Sequence, residues 1–332
     1  MILVHRPATA PGSPGDALGR HVWALGEALP PDALWIDLVE PTRDEDIVVE
    51  KHLGIAIPTR EEMADIEPSE ILYRENNARY MTVRVLCRSE SERPALVDVS
   101  FILTESALVT VRYDEPRSFA LFALRAVKPG GCRHQPEAVL DGLIETIIDR
   151  AAEILADVGK NIDKLSRSVF DRDQDRGRRR AAGFRAALRS LGRKGDVISN
   201  VRESMVSVER MLLFLSASMP RPQRTSGFQA EWRTAIRDVQ SIEEHATFLA
   251  NKVQFLLDAT LGLVTIEQND IIKLFSVMAV VFMPPTLVAS IYGMNFEHMP
   301  ELRWLLGYPM ALVLMLVVAV TPYLIFRWKQ WL

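Results

Sequence analysis

The chain has 332 residues, enough for one large soluble domain together with a membrane part. A formal net charge of −4, and no arginine-rich tail or nucleic-acid motif among its 39 Lys and Arg residues, argue against nucleic-acid binding. Cys87 and Cys132 stand alone, which argues against a disulfide framework or a CxxC metal site and fits a reducing cytosol.

The chain opens MILVHRPATAPGSPG, a short apolar start followed by Pro and Gly with no signal-peptide core. The N-terminus is therefore expected in the cytoplasm. The first third reads as mixed α/β. Strand patterns cover 34–38, 79–87, 97–103 and 108–113, with Thr104-Glu105-Ser106 as a hairpin turn between the last two. Helical patterns cover 44–53, 60–66 and 117–127, and Pro58 and Pro116 lie near the starts of two of them.

From Pro136 onward strand patterns disappear. Helical periodicity covers 137–170 and 178–216, and Pro220 and Pro222 then interrupt the chain. A third pattern begins near Phe228 with Trp232, Ile236, Val239, Ile242, Ala246, Leu249, Val253 and Leu256 on one stripe. Continued to Tyr292 it makes a helix of about 100 Å. Antiparallel packing would place the turn 171–180, with Arg172, Arg176, Arg178, Arg179 and Arg180, near the inner membrane surface. A solvated basic turn accounts for the same residues.

The C-terminal composition differs sharply. Lys273 and Glu297 enclose 23 uncharged residues, and Arg303 and Arg327 enclose another 23. Each run is about 34 Å long as a helix, against a hydrocarbon core of about 30 Å, so two membrane spans are expected. Lys273, Arg327 and Lys329 flank them on one side, with Glu297, Glu301 and Arg303 in the short connection. Basic flanks favour the cytoplasmic side, which puts both termini in the cytoplasm and the chain in the cell's inner (plasma) membrane. The expected divisions are a cytoplasmic α/β domain over 1–130, antiparallel helices over 131–227 and a stalk continuing into the first span over 228–292. An outer loop over 293–303, a second span over 304–326 and a basic tail over 327–332 complete the chain.

The first span is not a uniform apolar helix. Ser290, Thr286, Met283, Ala279, Ser276, Ile272, Asn269, Thr265, Gly262 and Asp258 form a largely small or polar stripe that must face another helix or water. Small-residue helix packing would produce such a stripe too. If the stripe is wet, two spans cannot enclose a pore alone, so several identical first spans must ring one axis. Beyond it come Gly293, Met294 and Asn295, where a ring of Asn carbonyls could hold magnesium with its reluctantly shed waters intact. Gly293 would let the helix end turn sharply. Glu297 and Glu301 would concentrate cations at the mouth, while a lone His298 reads as a loop residue.

The segment Tyr292-Gly293-Met294-Asn295-Phe296-Glu297, then Met299-Pro300-Glu301-Leu302, Trp304 and Gly307-Tyr308-Pro309, resembles the CorA family of magnesium and cobalt transporters. Phe282-Met283-Pro284-Pro285-Thr286 and the final Trp331-Leu332 extend the likeness over about 269–332. The resemblance implies an α+β (αβα) cytoplasmic domain, long helices and two C-terminal transmembrane helices in a funnel-shaped homopentamer. It implies a selectivity site of Gly293, Met294 and Asn295, polar pore rings at Thr286 and Asn269, and apolar constrictions at Met283, Phe275 and Ile272. Phe275 is one position off the stripe, so its role comes from the resemblance alone. Magnesium would be substrate and regulatory ligand with no cofactor, and cobalt and nickel further substrates. Asp238, Glu243, Glu244 and Asp258 are sensor candidates, though an ordinary solvated charge is the simpler reading of each. The basic turn at 171–180 departs from the acidic residues that the family often carries there.

A potential of 100 mV supplies about 4.6 kcal/mol to an entering divalent ion. With no P-loop signature or nucleophile–base pair, a passive channel rather than an enzyme is expected. The rival readings are a zinc transporter of the same architecture, with or without proton coupling, and a membrane-anchored scaffold. The first span lacks the His or Cys that zinc favours.

Overall fold

A computed structural model describes residues 1–7, 17–24, 26–65, 67–89, 94–128, 130–170, 178–218, 227–294, 304 and 306–329. They form two compact units, Met1–Leu257 and Asp258–Leu332.

The first unit is built on a seven-stranded sheet of β1 (Ile2–Pro7), β2 (Leu18–Trp23), β3 (Trp35–Val39), β4 (Leu72–Glu75), β5 (Ala78–Cys87), β6 (Ala95–Leu103) and β7 (Leu108–Arg112). Its order is β2-β1-β3-β7-β6-β5-β4, antiparallel except for the central β3–β7 pair. Thr104 closes the expected β6–β7 turn: its hydroxyl donates to the Ala107 carbonyl at 2.8 Å and accepts from the Ala107 amide at 3.0 Å. Both faces of the sheet are apolar, because a sheet with a parallel centre needs helices on each side.

One face carries Ile36, Leu38, Val109 and Val111 in a core with Val49 and Met63. Those last two lie on α1 (Arg43–Leu53) and α2 (Arg60–Met63), followed by α3 (Pro68–Ile71). Local chemistry fixes the ends of α1. Thr42 and Glu45 form a capping box, and Gly54 closes the helix at φ 66°, a left-handed conformation that favours glycine. α2 stops at Met63, shorter than the expected run to Ile66, which lies outside the described residues.

The opposite face, with Trp35, Val83, Val99 and Phe101, packs in the main core with α4 (Arg117–Ala126), α5 (Pro136–Phe170) and α6 (Arg178–Ser218). Gly142 of α5 lies so close to α4 that a Cβ there would come within 2.4 Å of the Phe122 ring. α7 (Gly227–Tyr292) adds its stripe to the same core. Trp232, Val239, Ala246, Leu249, Val253 and Leu256 are buried, and Ile236 and Ile242 half-buried. Leu249 reaches to 3.6 Å of the position a Gly159 Cβ would take, so a small residue on α5 receives a large one from α7.

The second unit contains the rest of α7 and α8 (Gly307–Trp328). Both helices are long and apolar enough to cross a membrane, and in their most apolar windows only 0% and 6% of the residues are buried. A core helix of a soluble protein would be mostly covered, so lipid or further copies of the chain must cover these surfaces. α8 begins at Gly307, three residues later than the expected start at Trp304. α7 continues through Pro284 and Pro285, which lack the N–H groups that would bond the carbonyls four residues earlier.

Candidate ion pathway

Within the unit Asp258–Leu332, α7 has one shielded side. Val277, Val281, Pro284, Pro285, Val288 and Tyr292 are half-buried and fall on one face of the helix. On α8 the least exposed positions follow the same rhythm at Gly307, Ala311, Met315, Val318, Ala319, Pro322 and Phe326. α8 is the only other element of that unit among the described residues, so it covers the shielded side of α7.

The polar stripe lies on the other side. All ten of its positions from Asp258 to Ser290 are exposed in the single chain. At 3.6 residues per turn, its centre is about 180° around the axis from the α8-covered side. The expected apolar constrictions share that exposure: Ile272 is 61%, Phe275 66% and Met283 69% accessible. Small-residue packing against α8 therefore does not explain the stripe, because α8 occupies the opposite side.

Thr286 carries the clearest local chemistry. Its hydroxyl donates to the Phe282 carbonyl at 2.7 Å, and Thr265 does the same to Leu261 at 3.0 Å. With its proton committed inward, each hydroxyl offers oxygen lone pairs outward. Asn269 is exposed on the same stripe, and Lys273 lies 3.9 Å from Asp270 at the cytoplasm-proximal end expected for the span.

At the far end the amide of Gly293 donates to the Ala289 carbonyl at 2.9 Å and that of Met294 to Ile291 at 3.3 Å. Gly293 is the first residue after α7, and positions 295–303 lie outside the described residues. It is not among the glycines at positive φ, which are Gly26, Gly54 and Gly130 among the described residues. A Cβ there would lie 3.1 Å from the Ala289 oxygen, a tight approach that a larger residue would have to relieve by a few tenths of an ångström. Met294 is 48% exposed, whereas Asn295, Glu297, His298 and Glu301 lie outside the described residues.

A family model described as CorA-like Mg2+ transporter protein matches residues 31–328. The magnesium transport protein CorA of Salmonella typhimurium is 37% identical over 302 residues, 91% of this chain and 92% of the relative. The chain belongs to the CorA family. The CorA of Escherichia coli K12 shares the same 37% identity and the same coverage. The structure of the CorA magnesium transporter from Methanocaldococcus jannaschii matches with a TM-score of 0.72, covering 98% of this chain and 97% of that one at 18% identity. That likeness shows the αβ domain, long helix and pair of C-terminal apolar helices as the CorA fold. The family transports ions and performs no chemical conversion.

The four sensor candidates do not converge. Among the described residues no three His, Cys, Asp or Glu side chains stand close enough to hold a metal ion. Asp238, Glu244 and Asp258 are exposed on α7. Glu243 is half-buried, and burial followed by the charge of Glu209 raises its carboxyl above the usual range, against the lowering effect of Arg202. Asp238 does border a groove between α5 and α7 whose other acidic residues, Asp141, Glu145, Asp149 and Glu231, sequence reading passed over. Their spacing on α5 resembles any solvated helix face, so no signal singled them out. The basic turn that departs from the family pattern falls on residues 171–177, outside the described residues, and on the start of α6.

Proposed function

We propose that five copies of this chain form a membrane channel whose first spans ring a wet axis and admit magnesium to the cytoplasm down the membrane potential. The observation that carries this reading is the exposed polar stripe of α7 on the side opposite α8. In a membrane that stripe needs water or a partner, and identical stripes around one axis supply both. The chain is then a multi-pass protein of the inner membrane with both termini cytoplasmic, and its lipid-facing surface is made by α8 and the flanks of α7.

Selection rests on hydrated ions. A ring of Asn295 carbonyls, supported by Gly293 and Met294, accepts hydrogen bonds from the waters around Mg2+ and avoids the cost of stripping them. Lone pairs turned outward by Thr286, with the Asn269 amide deeper in, repeat that polarity along the path. Cobalt and nickel, similar hydrated divalent ions, follow the same route, and Glu297 and Glu301 enrich cations at the entrance. Met283, Phe275 and Ile272 narrow the closed pore to an apolar throat that excludes water. Intracellular magnesium favours that closed ring by neutralising facing carboxylates on neighbouring subunits, with Asp238, Glu243, Glu244 and Asp258 as its candidate partners.

The test is magnesium influx into liposomes with an imposed inward-driving potential. Asn295→Ala should abolish uptake while the protein still elutes as the same oligomer. Undiminished uptake in that variant would remove the selectivity assignment, and a monomeric wild type would remove the channel.

A further inference from the structure

A second site lies in the first unit, outside the ion pathway. Between β1–β3, β7 and the start of α4 is a cavity of about 370 Å³, bordered by His5, Arg20, Trp35, Arg112, Glu115 and Arg117. Leu3, Trp35, Phe119, Ala120 and Ala123 give it an apolar wall, and His5 stands out among them. His5, in the middle of β1, is 1% exposed, yet its Nδ1 has no hydrogen-bond partner. The ring lies flat against Trp35, with centroids 4.1 Å apart and planes at 18°, which fixes its orientation. A buried, unpaired polar atom costs about 1–3 kcal/mol and calls for an explanation.

The surroundings favour negative charge. Arg20 is the cross-strand partner of His5 on β2 and is exposed. Burial and then the charge of Arg20 hold the His5 imidazole down to about 3, so at neutral pH it is uncharged and one of its nitrogens can donate. α4 begins at Arg117 with Pro116 as its N-cap and no side-chain cap, so its positive dipole end borders the cavity. Asp37 also lines the cavity, but Arg112 and Thr110 already occupy its oxygens at 2.7–3.3 Å. Glu115 is the remaining carboxylate on the rim, set against Arg20 and Arg117.

We infer that this cavity binds a small oxyanion, a phosphate or carboxylate compound, between Arg20 and the first turn of α4, on the side lined by the buried His5 imidazole. The cavity is within the range of small-molecule sites, about 300–1,000 Å³. Its aromatic wall limits the ligand to a compact one. The inference does not depend on the transport reading, since none of these residues lies in the second unit.

Calorimetric titration of the full-length protein in detergent, in magnesium-free buffer, tests it with pyrophosphate and, separately, malonate. Saturable binding of one anion per chain is expected for at least one of the two, and the preferred probe separates a phosphate site from a carboxylate site. Arg20→Gln, at an exposed position, should weaken that binding about tenfold or more, the loss of one charged donor. Arg202→Gln, on the distant helix α6, should leave it unchanged. Absence of saturable binding to both probes would overturn the inference, as would equal weakening by both substitutions. Circular dichroism of the two variants should match the parent, so that a lost site is not confused with a lost fold.

Discussion

Thr286 and Val288 are two residues apart yet stand on opposite sides of α7, about 200° apart around its axis. Thr286 is exposed and Val288 half-buried on the side that α8 covers. Because Cys87 and Cys132 are both buried, cysteines introduced at these positions can be read against a quiet background. In the membrane-embedded protein, Thr286→Cys should react with a charged, water-soluble thiol reagent and Val288→Cys should not. Extending the scan to Ser276, Ala279 and Met283 should reproduce the helical repeat. Uniform labelling, or none, would contradict a wet stripe.

The apolar throat makes a different prediction. Ile272 is 61% exposed in the single chain and holds the stripe between Asn269 and Ser276. Ile272→Ser should wet a closed pore and raise magnesium leak several-fold when magnesium is high on the cytoplasmic side. A fluorescent magnesium indicator inside liposomes reads this directly. Leak equal to the parent's would move the gate elsewhere.

Stability of the first unit depends on a buried ion pair. The Arg112 Nη2 donates to Asp37 Oδ2 at 2.9 Å, with the two side chains 8% and 2% exposed. Thr110 donates to the other Asp37 oxygen at 2.7 Å and accepts from the Trp35 indole at 2.9 Å. Asp37→Ala should destabilise the fold by about 3–5 kcal/mol, because the Arg112 charge is left buried without its partner. Adding Arg112→Met should recover much of that loss. Denaturant unfolding of both variants checks the pair; a single substitution costing under about 1 kcal/mol would show the charges to be solvated.

The groove between α5 and α7 predicts a pH dependence. Burial, then the carboxylates of Glu231 and Glu145, push Asp141 up to about 6. An aspartate in an unfolded chain titrates near 3.9, so the folded state holds this proton more tightly. Its favourable contribution is complete below about pH 4 and is lost as the pH rises through about 6. Asp141→Asn should therefore stabilise the protein at pH 7.5, by about 1 kcal/mol after allowing for partial exposure, and flatten the pH dependence between 4 and 6. Thermal unfolding across that range measures it; greater stability of the parent at pH 7.5 would reverse the assignment.

Sequence determined the parts of this protein that depend on local pattern. Uncharged runs of 23 residues marked two spans, three- and four-residue steps marked the α7 stripe, and alternating or β-branched runs marked β3, β5, β6 and β7. The strands it did not reveal have weak signals of their own. β1 looked like a short apolar start, β2 carries Arg20 and His21 between its apolar ends, and β4 is four residues with two charges. Each becomes a strand because a neighbour offers a row of backbone partners: β1 fills the space between β2 and β3, and β4 pairs with β5.

The candidate pathway divides in the same way. Polarity along the first span was legible because a membrane penalises every misplaced polar group, leaving a periodic trace. Only the fold decided that α8 covers the side facing away from that trace. It also brought His5, Arg20 and Arg117 to one cavity and Asp37 to Arg112 across 75 positions of chain. A sequence records which groups must avoid lipid or water. Which distant groups then meet is set by strand order and helix packing, and these exist only once the chain has folded.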